Sequence, residues 1–324
     1  GIPFCPTTCL YCSFTSFPIV KWEKRMDLYK EALFKEMEYV AEQMKDRPLS
    51  TIYFGGGTPT SLNPQDLDEI LTKVEELFPV EQAVEFTVES GRPDSITREK
   101  LQVLRNHGIS RISINPQTMK QATLDLIGRR HTVEDVKEKF LLARELGFDN
   151  INMDLIVGLP EETIDDVRQT MEEIKALRPD SVTVHSLAIK RAARLNIYKE
   201  RYGNLKIVNT QEMIDLTAQY AEEMGLKPYY LYRQKNMAGN FENVGYAELD
   251  KAGIYNILIM EEKQSIIAAG AGATAGTPAD GRKKRAAGRL VHGLSHVQSR
   301  GCGLLRIRYS VRYSQQRTVQ PFEP

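Results

Sequence analysis

Gly1-Ile2-Pro3-Phe4-Cys5-Pro6-Thr7-Thr8-Cys9-Leu10-Tyr11-Cys12 opens the chain and places three of its four cysteines within eight residues, spaced C-x3-C-x2-C; the fourth is Cys302. Three thiolates on one short loop can hold three irons of a [4Fe–4S] cluster, and with no fourth ligand near, the last iron keeps an open coordination position. A structural zinc site competes poorly, because it needs four ligands and the nearest histidine, His107, belongs to a different element. Disulfides compete no better. The clustered cysteines are odd in number, no apolar signal segment precedes them, and the chain is otherwise thiol-poor, which leads us to expect a reducing, cytoplasmic setting.

Outward from that loop, short apolar runs alternate with longer amphipathic segments, the pattern of β/α units around a parallel sheet. Strands are expected over 51–54, 83–89, 111–115, 150–157 and 181–187. A helix over 28–45 puts Leu33, Met37, Val40 and Met44 on one stripe and stops before Pro48, and Thr163 with Asp166 and Thr132 with Asp135 read as capping boxes of two more. Five strands is one short of a six-unit barrel. Cofactor loops of β/α barrels sit at the carboxyl ends of strands, so the cysteine loop should follow the first strand. Only Gly1 to Phe4 precede Cys5. The expectation is therefore an α/β fold, an incomplete (β/α)6 barrel or partial TIM barrel, whose first strand is truncated and which carries a C-terminal appendage.

The carboxyl ends of the other strands carry further candidates. After Phe54 comes Gly55-Gly56-Gly57-Thr58-Pro59, whose bare backbone lets a ligand approach closely; a tight turn is the alternative. Glu89 ends an apolar run, where it could accept hydrogen bonds from a ribose or an ammonium, or be an ordinary surface carboxylate. Asn115-Pro116-Gln117 closes the next strand. In the run Asn152-Met153-Asp154-Leu155-Ile156-Val157-Gly158-Leu159-Pro160, an Asp amid so apolar a strand must find partners or face a cavity.

Taken together, the Cys5 to Cys12 loop, GGGTP at 55–59, Glu89, Gln117, Arg129 and the DLIVGLP run from Asp154 resemble the radical S-adenosylmethionine (SAM) oxygen-independent coproporphyrinogen III dehydrogenase family over nearly all of 1 to about 269. The run Tyr229-Tyr230-Leu231-Tyr232-Arg233-Gln234-Lys235-Asn236-Met237-Ala238-Gly239 resembles its HemZ-like branch. The resemblance implies that Cys5, Cys9 and Cys12 hold a [4Fe–4S] cluster. It also implies that Tyr11, Gly56, Gly57, Thr58, Glu89, Gln117, Arg129, Asp154 and Ala188 line the SAM site. It implies a radical SAM barrel over 1–190 and a family-specific region over 191–269. The activity implied converts two propionates of coproporphyrinogen III to vinyl groups, by way of a 5′-deoxyadenosyl radical that takes a propionate β-hydrogen, with loss of CO2 and an electron. A low-potential electron donor would be a partner. A substrate with four propionates needs cations, and Lys190, Arg191, Arg194, Arg233 and Lys235 lie where a barrel mouth would be; solvated surface charge is the alternative for each.

The family's dehydrogenases resemble C-x3-C-x2-C-x-C, whereas the position two after Cys12 is Phe14. Relatives with an aromatic there include haem chaperones that keep the loop without the decarboxylation. Haem binding or trafficking is therefore the second expectation, with porphyrinogen or haem as the ligand. His185 is the body histidine placed to ligate haem, or is simply hydrogen-bonded in place.

The 324 residues, 41% hydrophobic and 27% charged, suit one large core and contain no apolar run near the length of a membrane span. The formal net charge of zero hides an asymmetry, because ten Lys and Arg face two acids from residue 270 onward, leaving the body acidic. Residues 265–269 read as a strand followed by Gly270-Ala271-Gly272-Ala273-Thr274-Ala275-Gly276, superficially a dinucleotide loop. No amphipathic helix follows it, and no acid stands about 20 positions on to bind a ribose. Arg282-Lys283-Lys284-Arg285 opens a stretch that reads as a nucleic-acid arm or a disordered tail. We expect 270–324 to be a disordered segment or one translated out of frame, with no nucleic-acid partner unless the basic tail is genuine.

Overall fold

The computed structural model describes residues 1–14, 16–232, 237–262 and 264–276. Its strands are β1 (Phe4–Cys5), β2 (Phe17–Pro18), β3 (Thr51–Phe54), β4 (Glu85–Glu89), β5 (Arg111–Ser113), β6 (Ile151–Val157), β7 (Ser181–Ser186), β8 (Lys227–Tyr232) and β9 (Asn243–Ala247). Among the described residues β3 to β9 form one seven-stranded sheet in the order β3-β4-β5-β6-β7-β9-β8, curled into a half-barrel. The first five strands run parallel and in sequence order, and β9 and β8 extend them antiparallel. The parallel part corresponds to the five strands read from the sequence: Thr51–Phe54 has the expected bounds, and the other four are shorter by one or two residues.

The parallel strands mix polar and apolar residues, and the apolar ones pack into the core beneath the helices. Val88, Ile112, Met153 and Val182 are fully shielded, and each contributes roughly 1.5–3 kcal/mol of burial. Met26–Met44 presents Leu33, Met37 and Val40 to this core, with Met44 half-buried at its end. Pro64–Leu77 adds Leu67, Ile70, Leu71 and Val74, and Ile164–Leu177 adds Val167, Met171 and Ile174. Both capping boxes form. The Asp135 carboxylate accepts from the Thr132 N–H at 2.7 Å, and Asp166 accepts from the Thr163 N–H at 2.8 Å, satisfying donors that a helix start leaves unpaired.

Two features depart from the sequence reading. Residues 265–269 do not form a strand: Ile266 makes only an isolated bridge to Gly276, because Gly270 and Gly272, at φ of 89° and 82°, turn the chain back. β8 and β9 are added, and they lack the strong apolar patterning of the parallel strands. Phe4–Cys5 pairs with Phe17–Pro18, while Ile2 bridges Gly56 in parallel, so the segment ahead of the cysteine loop lies beside the end of β3. The 277–324 tail and Cys302 lie outside the described residues. No helix among the described residues is long and apolar enough to cross a membrane.

The amino ends of the strands are closed by the helix Ile254–Met260. Its first two backbone N–H groups, of Ile254 and Tyr255, donate to the Glu85 carboxylate at 2.5 and 3.3 Å, as the positive end of a helix favours. Tyr255 stacks on Tyr53 with ring centres 4.1 Å apart, which puts an aromatic pair across the barrel floor.

Candidate functional site

The cysteine loop is clasped on two sides at the carboxyl end of the sheet. Leu10 donates to Ile127 O at 2.8 Å and the Thr7 hydroxyl to Gly128 O at 2.9 Å; from the other side, Leu195 donates to Leu10 O at 2.9 Å. Cys9 is buried, Cys5 and Cys12 are half-buried, and all three are free thiols. Burial pushes the Cys5 thiol up to about 11, although the Thr58 hydroxyl lies 3.4 Å from its sulfur, and burial raises Cys12 as well. Buried thiols of this kind become thiolates when a cation compensates them. Among the described residues no group of His, Cys, Asp or Glu converges tightly enough to hold a single metal ion.

Behind the loop, carboxylates gather. Glu89 is the last residue of β4, Asp154 the middle residue of β6, and His185 stands on the neighbouring β7 with Nε2 3.8 Å from an Asp154 oxygen. The Tyr53 hydroxyl donates to Glu89, and a Cβ at Gly55 would stand 2.7 Å from the Tyr53 ring and 2.9 Å from the same carboxylate, so a larger residue there would displace that pair. Burial, reinforced by Asp154, raises the Glu89 carboxyl to about 7 despite the Tyr53 hydrogen bond. Asp154 goes the other way: burial opposes its ionisation, but His185, with Asn152 donating at 2.7 Å, holds it below the usual range. The two acids thus differ in proton affinity, the property that lets paired carboxyls take different roles.

The raised Glu89 value has a stability consequence. Folding retains a proton that the unfolded chain releases near 4.5, so Glu89's favourable contribution is complete below that pH and is lost as pH rises through about 7. Glu89→Gln mimics the protonated form. The ligand-free parent should therefore lose stability relative to Glu89→Gln between about pH 5 and about pH 8, in urea midpoints measured side by side. A constant difference across that window would refute the assignment.

Asn115, Gln117 and Arg129 join the two halves of the site. Asp154 N–H donates to the Asn115 side chain at 3.2 Å, Gln117 N–H donates to Asp154 O at 3.0 Å, and Arg129 donates to Asn115 O at 2.5 Å and to the Tyr11 hydroxyl at 3.2 Å. Gln117 adopts φ of 71°, rare for a non-glycine, which aims its side chain as an extended residue would not. Its Oε1, Arg129 Nε and the Ser90 and Ser113 hydroxyls are buried with no partner. Buried polar atoms are otherwise nearly always paired, so this set of donors and acceptors fits a polar ligand held beside the loop.

Glu89, Gln117, Arg129, Asp154, Tyr11 and the Gly56-Gly57-Thr58 turn are therefore brought together at one end of the sheet. Ala188 lies at the rim, bridged to Met237. Lys190 is half-buried with Nζ 5.7 Å from the Phe14 ring, and Arg194 reaches Thr8 O at 3.4 Å, so both border the loop. Arg191 is exposed. Arg233 and Lys235 lie outside the described residues. Two residues with clear roles in the geometry escaped the sequence reading, Tyr53 and Arg92. Arg92 had a signal, being a charge between Gly91 and Pro93 directly after the strand that ends in Glu89; Tyr53 sits in an ordinary strand and had none.

A half-barrel with five parallel strands, a free three-cysteine loop and buried, unpartnered polar atoms at its carboxyl end is a frame that suits an iron–sulfur cluster beside a bound organic cofactor. The model of the radical SAM superfamily matches residues 1–174, and the chain belongs to that superfamily, whose cofactors are a [4Fe–4S] cluster and SAM. Within it, the chain is 47% identical over 276 residues to the oxygen-independent coproporphyrinogen-III oxidase-like protein HemZ of Bacillus subtilis, covering 84% of this chain and 55% of that protein. It is 36% identical over 190 residues to the heme chaperone HemW of the same organism, covering 58% and 49%. The solved Escherichia coli coproporphyrinogen III oxidase HemN, a radical SAM enzyme, superposes with a TM-score of 0.65 at 25% identity, over 82% of this chain and 58% of that one. The chain spans about half the length of these curated relatives.

Proposed function

We propose that the protein is a radical SAM oxidoreductase acting on a porphyrinogen, with oxidative decarboxylation of coproporphyrinogen III to protoporphyrinogen IX as the reaction. The observation that carries this reading is the convergence of Glu89, Asp154, Gln117 and Arg129, two of them with unpartnered buried atoms, behind the cysteine loop. Cys5, Cys9 and Cys12 would hold the cluster. Together the cluster and SAM, when bound, supply the means to take a hydrogen atom from unactivated carbon.

The remaining work falls to the chain. Arg129 Nε and Gln117 Oε1 are the donor and acceptor left for the amino-acid end of SAM, and the Gly56-Gly57-Thr58 backbone offers a close approach to it. Glu89 and the ionised Asp154 would be the acceptors for its ammonium and ribose hydroxyls. The Tyr53 and Tyr255 stack excludes water from the floor. At the rim, Lys190 and Arg194 are placed to grip propionates and aim one side chain inward, which is positioning rather than acid–base catalysis. Loss of one hydrogen atom and CO2, with one electron passed to an external one-electron acceptor, would then leave a vinyl group, and a separate low-potential donor would supply the electron that starts each turnover. The cytoplasm is the expected compartment.

A second reading is favoured by Phe14. It is 68% exposed at the mouth with Lys190 against its ring, and an apolar, cationic rim also suits a haem face and its propionates. A haem-handling protein of the HemW type would use the same fold. Anaerobic reconstitution decides between them. With SAM, reductant and coproporphyrinogen III, the enzyme reading requires methionine, 5′-deoxyadenosine and decarboxylated porphyrinogen in step; tight haem binding with no such products would replace it by the chaperone reading.

A further inference from the structure

Arg92 is 2% exposed and spends its guanidinium in two directions. Nε and one terminal nitrogen donate to Asp94 as a fork, at 2.9 and 2.6 Å. The other terminal nitrogen donates to Thr7 O at 3.0 Å and to the Thr7 hydroxyl at 2.7 Å, and lies 3.6 Å from the Cys9 sulfur. The backbone holds this arrangement rigidly. Gly91, at φ of 41°, donates to Ser113 O and accepts from Asn115 N–H, both at 2.9 Å, while Pro93 fixes the residue after. Asp94 is the less buried partner, its side chain 17% exposed. Arg92 is the more deeply buried of the pair, and its free terminal nitrogen is the charged group that faces the sulfur, with Asp94 set on the far side of the guanidinium. His131, wholly buried and 4.0 Å from Asp94, has both ring nitrogens unpartnered and adds no compensating negative charge.

We propose that Arg92 is a positioning residue that sets the reduction potential of the cluster, through its charge and hydrogen bond at Cys9, with Asp94 as the opposing control. The inference rests on the ligation of the cluster by the three cysteines. Positive charge and N–H donors at ligand sulfurs favour the form with one electron more, so they raise the potential of the one-electron couple. No bond is made or broken at Arg92; the electron comes from an external one-electron reductant.

A residue that only anchored the loop would behave differently, and the two members of the pair separate the cases. Parent, Arg92→Met, Arg92→Lys and Asp94→Asn proteins are reconstituted anaerobically, assayed for iron and sulfide, and titrated with viologen-mediated dithionite while the reduced cluster is followed by EPR. At a fixed potential Arg92→Met should show at least tenfold less reduced over oxidised cluster than the parent, a fall of ~59 mV for a one-electron couple. Arg92→Lys, which keeps the charge, should recover most of that. Asp94→Asn leaves the charge unopposed and should shift the ratio upward. Shifts of Arg92→Met and Asp94→Asn in the same direction, or none in either, overturn the proposal. If Arg92→Met assembles no cluster, an unmoved Asp94→Asn titration overturns it alone. A parent without four irons would instead fail the cluster reading itself, at the iron assay and before any titration.

Discussion

Replacing Cys5, Cys9 or Cys12 singly by Ser should abolish the iron–sulfur cluster, leaving reconstituted protein with neither bound iron nor brown absorbance. All three sulfurs sit on one loop clasped by Ile127, Gly128 and Leu195, and no fourth thiol among the described residues can take over a lost position. Cys9 is the most informative site, being the buried one and the one Arg92 approaches. A Cys9→Ser protein that retained a full complement of iron would refute the ligand assignment.

Gly57→Ala should be nearly as damaging, for a packing reason. A Cβ there would stand 2.5 Å from Phe4 O, 2.8 Å from Ile2 O and 2.9 Å from Phe4 N, all backbone atoms that no side-chain rotation can move away. The segments touch because Gly57 N–H donates to Ile2 O at 2.7 Å and Thr58 N–H to Phe4 O at 2.6 Å, one residue ahead of Cys5. Prising them apart should cost about 3 kcal/mol and misplace the first cluster ligand. Both a lower urea midpoint and a lower iron occupancy are expected. An unchanged midpoint would mean that the first segment can slide along β3 at no cost.

The parallel half of the fold was legible because each of its strands carries a short run rich in Val, Ile or Phe between amphipathic helical segments, as at Ile52-Tyr53-Phe54 and Leu155-Ile156-Val157. Helix starts were legible for a local reason, since Thr132 with Asp135 and Thr163 with Asp166 satisfy their donors within four residues. The antiparallel extension was not. β8 is exposed at Lys227, Pro228 and Leu231 and reads as an unpatterned tyrosine-rich run, and β9 depends on Gly245, against which the Tyr230 ring packs. The apparent strand over 265–269 misled in the opposite sense: its residues have strand propensity, but two left-handed glycines after it turn the chain.

For the site, the residue types and their spacing already narrow the chemistry. Three cysteines within eight residues admit few uses, and a carboxylate inside an apolar strand, as at Asp154, must face a cavity or a partner. What the tertiary structure alone decided is proximity. Arg92 is 83 residues from Cys9, and Tyr53 is 36 from Glu89, yet each pair is in contact. Strand order and register make those contacts, bringing the carboxyl ends of β3 to β7 side by side, and no local pattern in the chain encodes which end-of-strand residue will meet which loop. The same holds for the proton affinities of Glu89 and Asp154. Both are acids on apolar strands, and only the His185 and Asn152 that β6 and β7 place beside Asp154, set against the buried Tyr53 environment of Glu89, send the two in opposite directions.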